Sequence, residues 1–210
     1  MNDVLDHYDR FPFLMDAFGD WPYREARAAA IEELLLQPDD RLVDLFCGTG
    51  VNFEPLLAKL GPTGRITGVD GSEGMLQRAR RRIQRRKLDA ARIELHRIDI
   101  AEESDALRAL FEASSRPPKL LITLALGCFA DYDRVFGDIH KMLPAGTRIA
   151  FMEGPYFERR SLACRVVDWI GAADCTRRTW EPLEKRLADY QRVDFPLHFS
   201  KLVVASGTRR

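Results

Sequence analysis

Residues 42–50 read LVDLFCGTG, and 20 residues after Gly50 a second apolar run, RITGVD, ends in Asp70. The first stretch has the apolar character of a buried strand, and its closely spaced glycines predict a turn that opens a helix. Backbone N–H groups exposed at such a turn can bind the tail of a cofactor. The carboxylate of Asp70 can accept hydrogen bonds from the hydroxyls of a ribose. Together the two segments predict a cofactor site.

Length and composition indicate one globular domain. The chain has 210 residues, of which 46% are hydrophobic and 30% are charged, as is usual for a soluble globular protein. No apolar stretch is long enough to span a bilayer, and the opening MNDVLDHYDR lacks the basic and apolar regions of a signal peptide. We therefore expect a cytoplasmic protein that forms a single domain over residues 1–210.

Charge and cysteine content argue against several kinds of ligand. The formal net charge is zero at pH 7, so no global field attracts nucleic acid or an acidic membrane. The four cysteines have neither a CxxC pair nor metal-ligand spacing. We expect them to be reduced and mostly buried thiols, and we expect no metal site.

Strand and helix patterns alternate through the middle of the chain. This alternation predicts a mainly parallel sheet with helices on both faces, which is an α/β, Rossmann-like, doubly wound fold. Residues 41–152 would form its cofactor-binding βαβ core. The predicted strands are 41–46, 65–69, 92–98, 118–124 and 147–152, and the predicted helices are 51–60, 72–88, 103–113 and 131–143.

The two ends of the chain differ from this core. Residues 1–40 are rich in aromatics and predict a separate helical segment. Residues 153–210 would place further helices and a terminal strand pair on the substrate side of the core. In that last part the predicted helices are 158–171 and 180–189, and the predicted strands are 191–195 and 198–206. Because only two residues separate the last two strands, we expect them to pair in antiparallel fashion.

The glycine turn does not fit the dinucleotide-binding pattern GxGxxG, because Phe53 stands at the third glycine position and Asp44 lies within the first strand. The strand acid, the CGTG turn, Asp70 and the antiparallel C-terminal pair instead resemble the class I S-adenosylmethionine-dependent methyltransferases. The resemblance extends in order and spacing from residue 41 to residue 206. It implies a seven-stranded sheet, an N-terminal helical lid and S-adenosylmethionine as the cofactor, with S-adenosylhomocysteine as the product.

The resemblance also implies roles for residues around the cofactor. Asp44 would brace the loop, Asp70 would accept hydrogen bonds from both ribose hydroxyls, and Asp99 would receive the adenine amino group. Either Ile98 or Ile100 would form an apolar wall. The candidate cofactor-binding residues are Asp44, Cys47, Gly48, Thr49, Gly50, Asp70, Gly71, Met75, Asp99, Ile100, Leu124 and Ala125.

The turn departs from the family pattern at Phe46. These methyltransferases often have glycine at the position that Phe46 occupies in this sequence. Because the Cβ of phenylalanine restricts the backbone, we expect Phe46 to have an ordinary negative φ.

Methyl transfer from a sulfonium is an in-line displacement, so the protein mainly has to orient the acceptor and exclude water. A general base is needed only where the acceptor atom carries a proton. The lid supplies Tyr8 and Tyr23 as candidate catalytic residues, and Arg24 as a candidate for binding the methionine carboxylate. Glu153 and Tyr156, after the fifth strand, are further candidate polar contacts to the substrate.

The acceptor is less closely defined than the cofactor. The chain reads LALGCFADY after the fourth strand, so it lacks the [N/D]PP[F/Y] tetrapeptide of the branches that methylate exocyclic amines of nucleic acids or glutamine. The stretches FGDWPYR, LALGCFADYD and WEPLEKRLADYQRVDFPLHFSKLVVASG resemble the quinone-biosynthesis and phospholipid N-methyltransferase branch. We therefore expect a small molecule or a lipid headgroup, methylated at nitrogen, oxygen or carbon.

Alternative functions stay open at this point. One is an RNA- or protein-directed methyltransferase, and another is a cyclase or isomerase that binds S-adenosylmethionine without transferring its methyl group. Seven basic residues lie within positions 78–87 of a predicted helix. They form either a solvated face or a surface for anionic lipid or RNA, so peripheral membrane contact is also open. The sequence does not define the oligomeric state.

Overall fold

A seven-stranded sheet forms the centre of the computed structural model, which describes residues 21–100, 102–113 and 116–210. Its strand order is β3-β2-β1-β4-β5-β7-β6. The first five strands are parallel, and β7 runs antiparallel to both of its neighbours. The strands are Arg41–Leu45 (β1), Arg65–Asp70 (β2), Ile93–Arg97 (β3), Lys119–Thr123 (β4), Arg148–Tyr156 (β5), Leu187–Leu197 (β6) and Ser200–Arg209 (β7). The predicted Rossmann-like class, with its antiparallel C-terminal pair, is confirmed.

Helices cover both faces of this sheet. They are Arg24–Glu33 (α1), Phe53–Lys59 (α2), Glu73–Arg85 (α3), Ser104–Glu112 (α4), Tyr132–Met142 (α5), Leu162–Gly171 (α6) and Glu181–Arg186 (α7). Leu42 packs with Ile31 of α1 and Phe53 of α2, whereas its neighbour Val43 packs with Phe136 of α5. Since successive side chains of a strand point to opposite faces, β1 lies between two hydrophobic cores.

The apolar periodicity of α3 predicts its buried face correctly. Met75, Leu76, Ala79 and Ile83 are all less than 9% exposed, and they recur at the spacing of one helical face. Ser72 caps the start of the helix, because its hydroxyl accepts a hydrogen bond of 3.1 Å from the backbone N–H of Met75. The cap places the start of α3 directly after the end of β2.

Several C-terminal elements have other boundaries than predicted. Helix α6 begins at Leu162 rather than 158, β6 covers Leu187–Leu197 rather than 191–195, and β7 covers Ser200–Arg209 rather than 198–206.

Two further boundaries have a clear physical reason. The helix expected over 180–189 ends at Arg186, because Leu187 already pairs with Arg209 of β7 and is buried in the core. Strand β5 continues to Tyr156, which pairs with Lys201 of β7. In both cases pairing with a distant strand overrides the local preference.

The N-terminal part of the described chain packs into the core. Ala30 and Leu34, on α1 and at its end, are fully buried among residues of α2 and β1. Tyr8 and the rest of residues 1–20 lie outside the described residues, so the lid and the limits of the three predicted parts stay predictions. No helix in the described ranges is long and apolar enough to cross a membrane.

Candidate active site

A cavity of about 590 Å³ lies at the carboxyl ends of the parallel strands. Its walls include the turns that follow β1, β2 and β4. Strand β1 has β2 on one side and β4 on the other, so the order of the sheet reverses at this point. Open α/β sheets bind their ligands at such a switch point. Of the twelve candidate cofactor residues, all line the cavity except Asp44 and Gly50.

Phe46 begins the turn after β1 in a left-handed conformation, with φ of 60°. The predicted negative φ is therefore wrong. Such a conformation costs a residue with a Cβ roughly 1–2 kcal/mol, and tertiary contacts offset that cost. The ring of Phe46 packs against Phe129, with ring centroids 5.4 Å apart. The next residue, Cys47, donates a backbone hydrogen bond of 3.0 Å to the carbonyl of Val69, which fixes the turn to β2.

The two glycines of the turn serve different purposes. Both have positive φ, 54° at Gly48 and 74° at Gly50. A Cβ on Gly48 would have no heavy atom within 4 Å, so the cavity is open to a ligand at that point. A Cβ on Gly50 would lie 2.5 Å from the ring of Phe53. Gly48 thus leaves space for a cofactor, whereas Gly50 allows α2 to pack closely on the turn.

We expect Gly50→Ala to lower the free energy of unfolding by about 1–3 kcal/mol more than Gly48→Ala. Both variants place a Cβ on a residue with positive φ, which strains the backbone. Only in Gly50→Ala would the new Cβ also overlap with the Phe53 ring. Urea unfolding monitored by circular dichroism measures the difference. Equal losses in the two variants would show that the close packing at Gly50 is relieved by a small shift of Phe53.

Asp70 connects the turns that follow β1 and β2. Its Oδ2 accepts a hydrogen bond of 2.8 Å from the N–H of Gly48, and its Oδ1 accepts one of 2.9 Å from the N–H of Ser72. A carboxylate oxygen has two lone pairs and can accept more than one hydrogen bond. Asp99 follows β3 along the same edge of the sheet and is 8% exposed. The structure therefore brings the two predicted acids into one cavity.

Asp44 lies under the cavity in a buried polar network. The side-chain amide of Asn52 donates to Asp44 Oδ1 at 3.0 Å and to Thr123 Oγ1 at 3.0 Å. Arg27 donates to the Oδ1 of Asn52 at 2.7 Å. Burial raises the pKa of Asp44 to about 7, although the Asn52 hydrogen bond and the positive charge of Arg27 lower it. The network joins α1, β1 and β4. The role of Asp44 in bracing the loop around a cofactor stays a prediction.

Three arginines that were not among the predicted site residues line the cavity: Arg27, Arg82 and Arg85. Arg27 is 5% exposed, whereas the candidate Arg24 is exposed. Arg27 lies four residues after Tyr23 and three before Ala30, so it falls on the buried face of α1. This helical spacing is the sequence signal that could have identified Arg27 as a site residue. Arg82 donates to the carbonyl of Thr49 at 2.9 Å. Since Arg82 and Arg85 line the cavity, the basic residues of α3 do not all belong to one outer face.

Glu153, at the end of the parallel part of β5, lines the cavity on the other side of β4. Its Oε2 accepts a hydrogen bond of 3.0 Å from the N–H of Gly127. Burial raises the pKa of Glu153 to about 7, and hydrogen bonds from backbone N–H groups oppose this rise. Tyr23 also lines the cavity, and burial raises the pKa of its phenol. Tyr156 instead packs edge-on against Trp180, with ring centroids 4.9 Å apart.

Cysteines and other metal-ligating side chains form no metal site in the described ranges. No group of three or more His, Cys, Asp and Glu side chains is placed to hold a metal ion there. Cys47 and Cys164 are buried, Cys128 and Cys175 are half-buried, and all four are free thiols.

Comparison with known families identifies this arrangement. The profile of the methyltransferase-domain family matches residues 36–156. The chain belongs to the methyltransferase-domain family. The match covers β1 to β5 and the turns that line the cavity of this methyltransferase-domain protein. Family membership also confirms S-adenosylmethionine as the class of cofactor.

Curated relatives of this methyltransferase-domain protein include enzymes with different acceptors. It is 27% identical over 156 residues to the demethylmenaquinone methyltransferase of Thermus thermophilus. The aligned region covers 73% of this chain and 64% of the relative. It is 40% identical over 76 residues to a 23S rRNA (uracil-C5)-methyltransferase of Xanthomonas euvesicatoria. That aligned region covers 36% of this chain and 16% of the relative. The chain thus spans less than two thirds of the length of these relatives.

A solved structure supports the same fold. A phosphoethanolamine N-methyltransferase of Haemonchus contortus, determined with S-adenosylmethionine, superposes with a TM-score of 0.71 at 12% identity. The superposition covers 98% of this chain and 60% of that protein. At this identity the likeness shows the fold of the methyltransferase-domain protein and leaves its substrate open.

Proposed function

We propose that this protein is an S-adenosylmethionine-dependent methyltransferase that acts on a small molecule or a lipid headgroup. One observation carries the proposal. One cavity at the switch point of the sheet is lined by an open glycine turn and by acids at the carboxyl ends of two successive strands, Asp70 at the end of β2 and Asp99 just after β3. This arrangement provides separate positions for the amino-acid, ribose and base parts of the cofactor.

The lining residues suggest how the cofactor would be held. Asp70 would accept hydrogen bonds from the ribose hydroxyls and Asp99 would receive the adenine amino group, beside an apolar wall at Ile100. The turn over residues 47–49 would lie against the methionine part, with Arg27 near its carboxylate. When bound, S-adenosylmethionine supplies a methyl group activated by the adjacent sulfonium. The residues of the chain orient the acceptor and exclude water from it.

A small acceptor fits the rest of the cavity better than a polymer. Its remaining walls are largely apolar, with the ring of Phe129 on one side and Val167 and Ile170 of α6 on another. The chain has zero net charge, whereas a nucleic-acid-binding protein usually has an excess of basic residues. Tyr23 lies near this part of the cavity and is our candidate for contact with the acceptor. A cytoplasmic location stays a prediction.

Isothermal titration calorimetry with S-adenosylmethionine tests the proposal. We expect saturable binding of one cofactor per chain, competition by S-adenosylhomocysteine and none by NAD. Formation of S-adenosylhomocysteine in the presence of an acceptor then separates a methyltransferase from a cyclase or isomerase, which would leave the cofactor unchanged. A protein that binds no S-adenosylmethionine, or that binds it no better than NAD, would contradict the proposal.

A further inference from the structure

The cavity extends beyond the part assigned to the cofactor. Asp99, Asp70 and the turn after β1 follow strands β3, β2 and β1, which are neighbours in the sheet. Neighbouring strands lie about 4.8 Å apart, so the proposed cofactor position occupies the half of the cavity over these strands. The other half lies over β5 and α6, beyond the candidate cofactor residues Leu124 and Ala125 that follow β4, and it is left for the acceptor. The present inference rests on the proposed function, because it concerns this second half.

Glu153 is the carboxylate that lines the acceptor half among the described residues. Strand β5 changes its pairing register with β7 directly after Glu153, and irregularities of this kind often re-aim a side chain beside an active site. The N–H of Gly127 donates to one carboxylate oxygen at 3.0 Å, and the N–H of Gly154 lies 3.4 Å from the other. These backbone donors hold the carboxylate in one orientation. No ion pair involving Glu153 is found in the ranges that the structure describes.

Two titratable groups face Glu153 from other elements. Tyr23 precedes α1, and Cys175 lies in the connection between α6 and α7; both line the same cavity. Burial raises the pKa of both groups, and their interaction with Glu153 adds to this rise. Both therefore remain neutral near pH 7. Arg27 lies close enough to Tyr23 to lower its pKa. The largest influences on the pKa of Glu153 are burial and hydrogen bonds from backbone N–H groups.

We propose that Glu153 contacts the acceptor atom and takes its proton, so that the acceptor is a small molecule with an apolar body and one N–H or O–H group. The acceptor heteroatom forms a bond to the methyl carbon while the carbon–sulfur bond breaks and leaves its electron pair on sulfur. The proton of the acceptor moves to a carboxylate oxygen of Glu153 and is later released to solvent. Charge balances, because a sulfonium and a carboxylate become a thioether and a carboxylic acid.

Burial supports this assignment. Because burial raises the pKa of Glu153 to about 7, the ionised carboxylate is a stronger base than an exposed glutamate. The apolar walls around it favour the uncharged body of an acceptor. A hydrocarbon would offer the ionised carboxylate no donor beyond the backbone N–H groups of Gly127 and Gly154, whereas an N–H or O–H group of the acceptor adds one.

Binding to the protein loaded with S-adenosylhomocysteine tests the acceptor class without turnover. The probes are 2-naphthol and indoline, each compared with its methylated form, 2-methoxynaphthalene or N-methylindoline. We expect the probes with O–H or N–H to bind at least tenfold more tightly than their methylated forms. We expect Glu153→Gln to weaken this preference, because a neutral amide oxygen is a weaker acceptor than a carboxylate, while the affinity of the variant for S-adenosylmethionine stays within twofold of the wild type. Equal binding within both pairs in the wild type would overturn the inference.

Turnover of 2-naphthol and indoline, followed as S-adenosylhomocysteine, tests the proton transfer. In the wild type the rate should rise with pH through about 7, because only the ionised Glu153 accepts a proton. Glu153→Gln should lower the rate by about 10²–10⁴-fold and remove its pH dependence. Glutamine keeps an oxygen that can accept the hydrogen bond from the N–H of Gly127, so the local structure should be preserved. Glu153→Asp keeps the charge and should therefore retain more activity than Glu153→Gln. Tyr23→Phe should reduce the rate without removing the pH dependence.

The outcomes separate this inference from the proposed function. A wild-type protein that does not bind S-adenosylmethionine would overturn both. A protein that binds it but methylates neither probe, or whose Glu153→Gln variant keeps the wild-type rate and pH profile, would overturn the assignment of Glu153 and leave the proposed function standing.

Discussion

Asp70→Asn should weaken the binding of S-adenosylmethionine by about 100-fold, which corresponds to about 2.8 kcal/mol. Hydrogen bonds to a charged group contribute about 1.5–3 kcal/mol each, and Asp70 would accept two from the ribose. Both of its oxygens already accept from backbone N–H groups, those of Gly48 and Ser72. The amide of asparagine would have to place its own N–H groups against one of these donors. The substitution therefore disturbs the loop as well as the ribose contact.

Calorimetric titration of the variant with S-adenosylmethionine measures this loss. Glu94→Gln is the matched control, because Glu94 is an exposed carboxylate on the adjacent strand β3 that does not line the cavity. The control should bind like the wild type. If Asp70→Asn also binds within threefold of the wild type, Asp70 does not hold the ribose and the proposed placement of the cofactor is wrong.

Asn52→Leu should lower the free energy of unfolding by about 3–5 kcal/mol at pH 8, the cost of leaving a buried charge without its partner. Asn52 is fully buried, and its amide donates to both oxygens of Asp44, at 3.0 and 3.1 Å. Leucine has the same branched shape and number of side-chain heavy atoms as asparagine, but it has no donor. It also removes the acceptor for Arg27, so that two buried charged groups lose a hydrogen bond at once.

The loss should depend on pH in a defined direction. Burial raises the pKa of Asp44 from 3.8 to about 7 in the folded protein. Its contribution to stability is therefore fully present below its unfolded value and is lost as pH rises through about 7. Asn52 lowers this pKa, so without Asn52 the cost of ionising Asp44 grows. Urea unfolding at pH 5 and pH 8 should show the larger loss at pH 8.

A double variant provides the control for this pair. Asp44→Leu together with Asn52→Leu removes the buried carboxylate, so it should be more stable at pH 8 than Asn52→Leu alone. Equal losses at pH 5 and pH 8, or a double variant with the summed losses of the single variants, would show that the two side chains do not interact.

Local patterns predicted most of the fold. The apolar runs and their turns define the parallel strands, because a buried parallel strand has an almost uninterrupted apolar sequence. The acids Asp70 and Asp99 each follow such a run, so their shared edge of the sheet could be inferred before the structure. The antiparallel terminal pair followed from its short connection. These inferences needed only neighbouring residues and the general geometry of α/β sheets.

Contacts between distant segments were not accessible in the same way. Asn52 reads as an ordinary residue at the start of a helix, yet it bonds to Thr123 and Arg27 from other parts of the chain. The environment of Glu153 likewise depends on backbone N–H groups that follow β4. Phe46 shows the opposite error. Its own preference was correctly judged, but packing against Phe129 and the pairing of its neighbour with β2 override that preference.

The left-handed turn at Phe46 has a consequence for the shape of the cavity. A bulky side chain at that position strains the backbone and also fills part of the cavity. Replacement by glycine would release this strain, which would partly offset the loss of the ring contact with Phe129. It would also enlarge the space between the turn and Phe129. The side chain at position 46 thus links the backbone conformation of the turn to the width of the cavity beside Phe129.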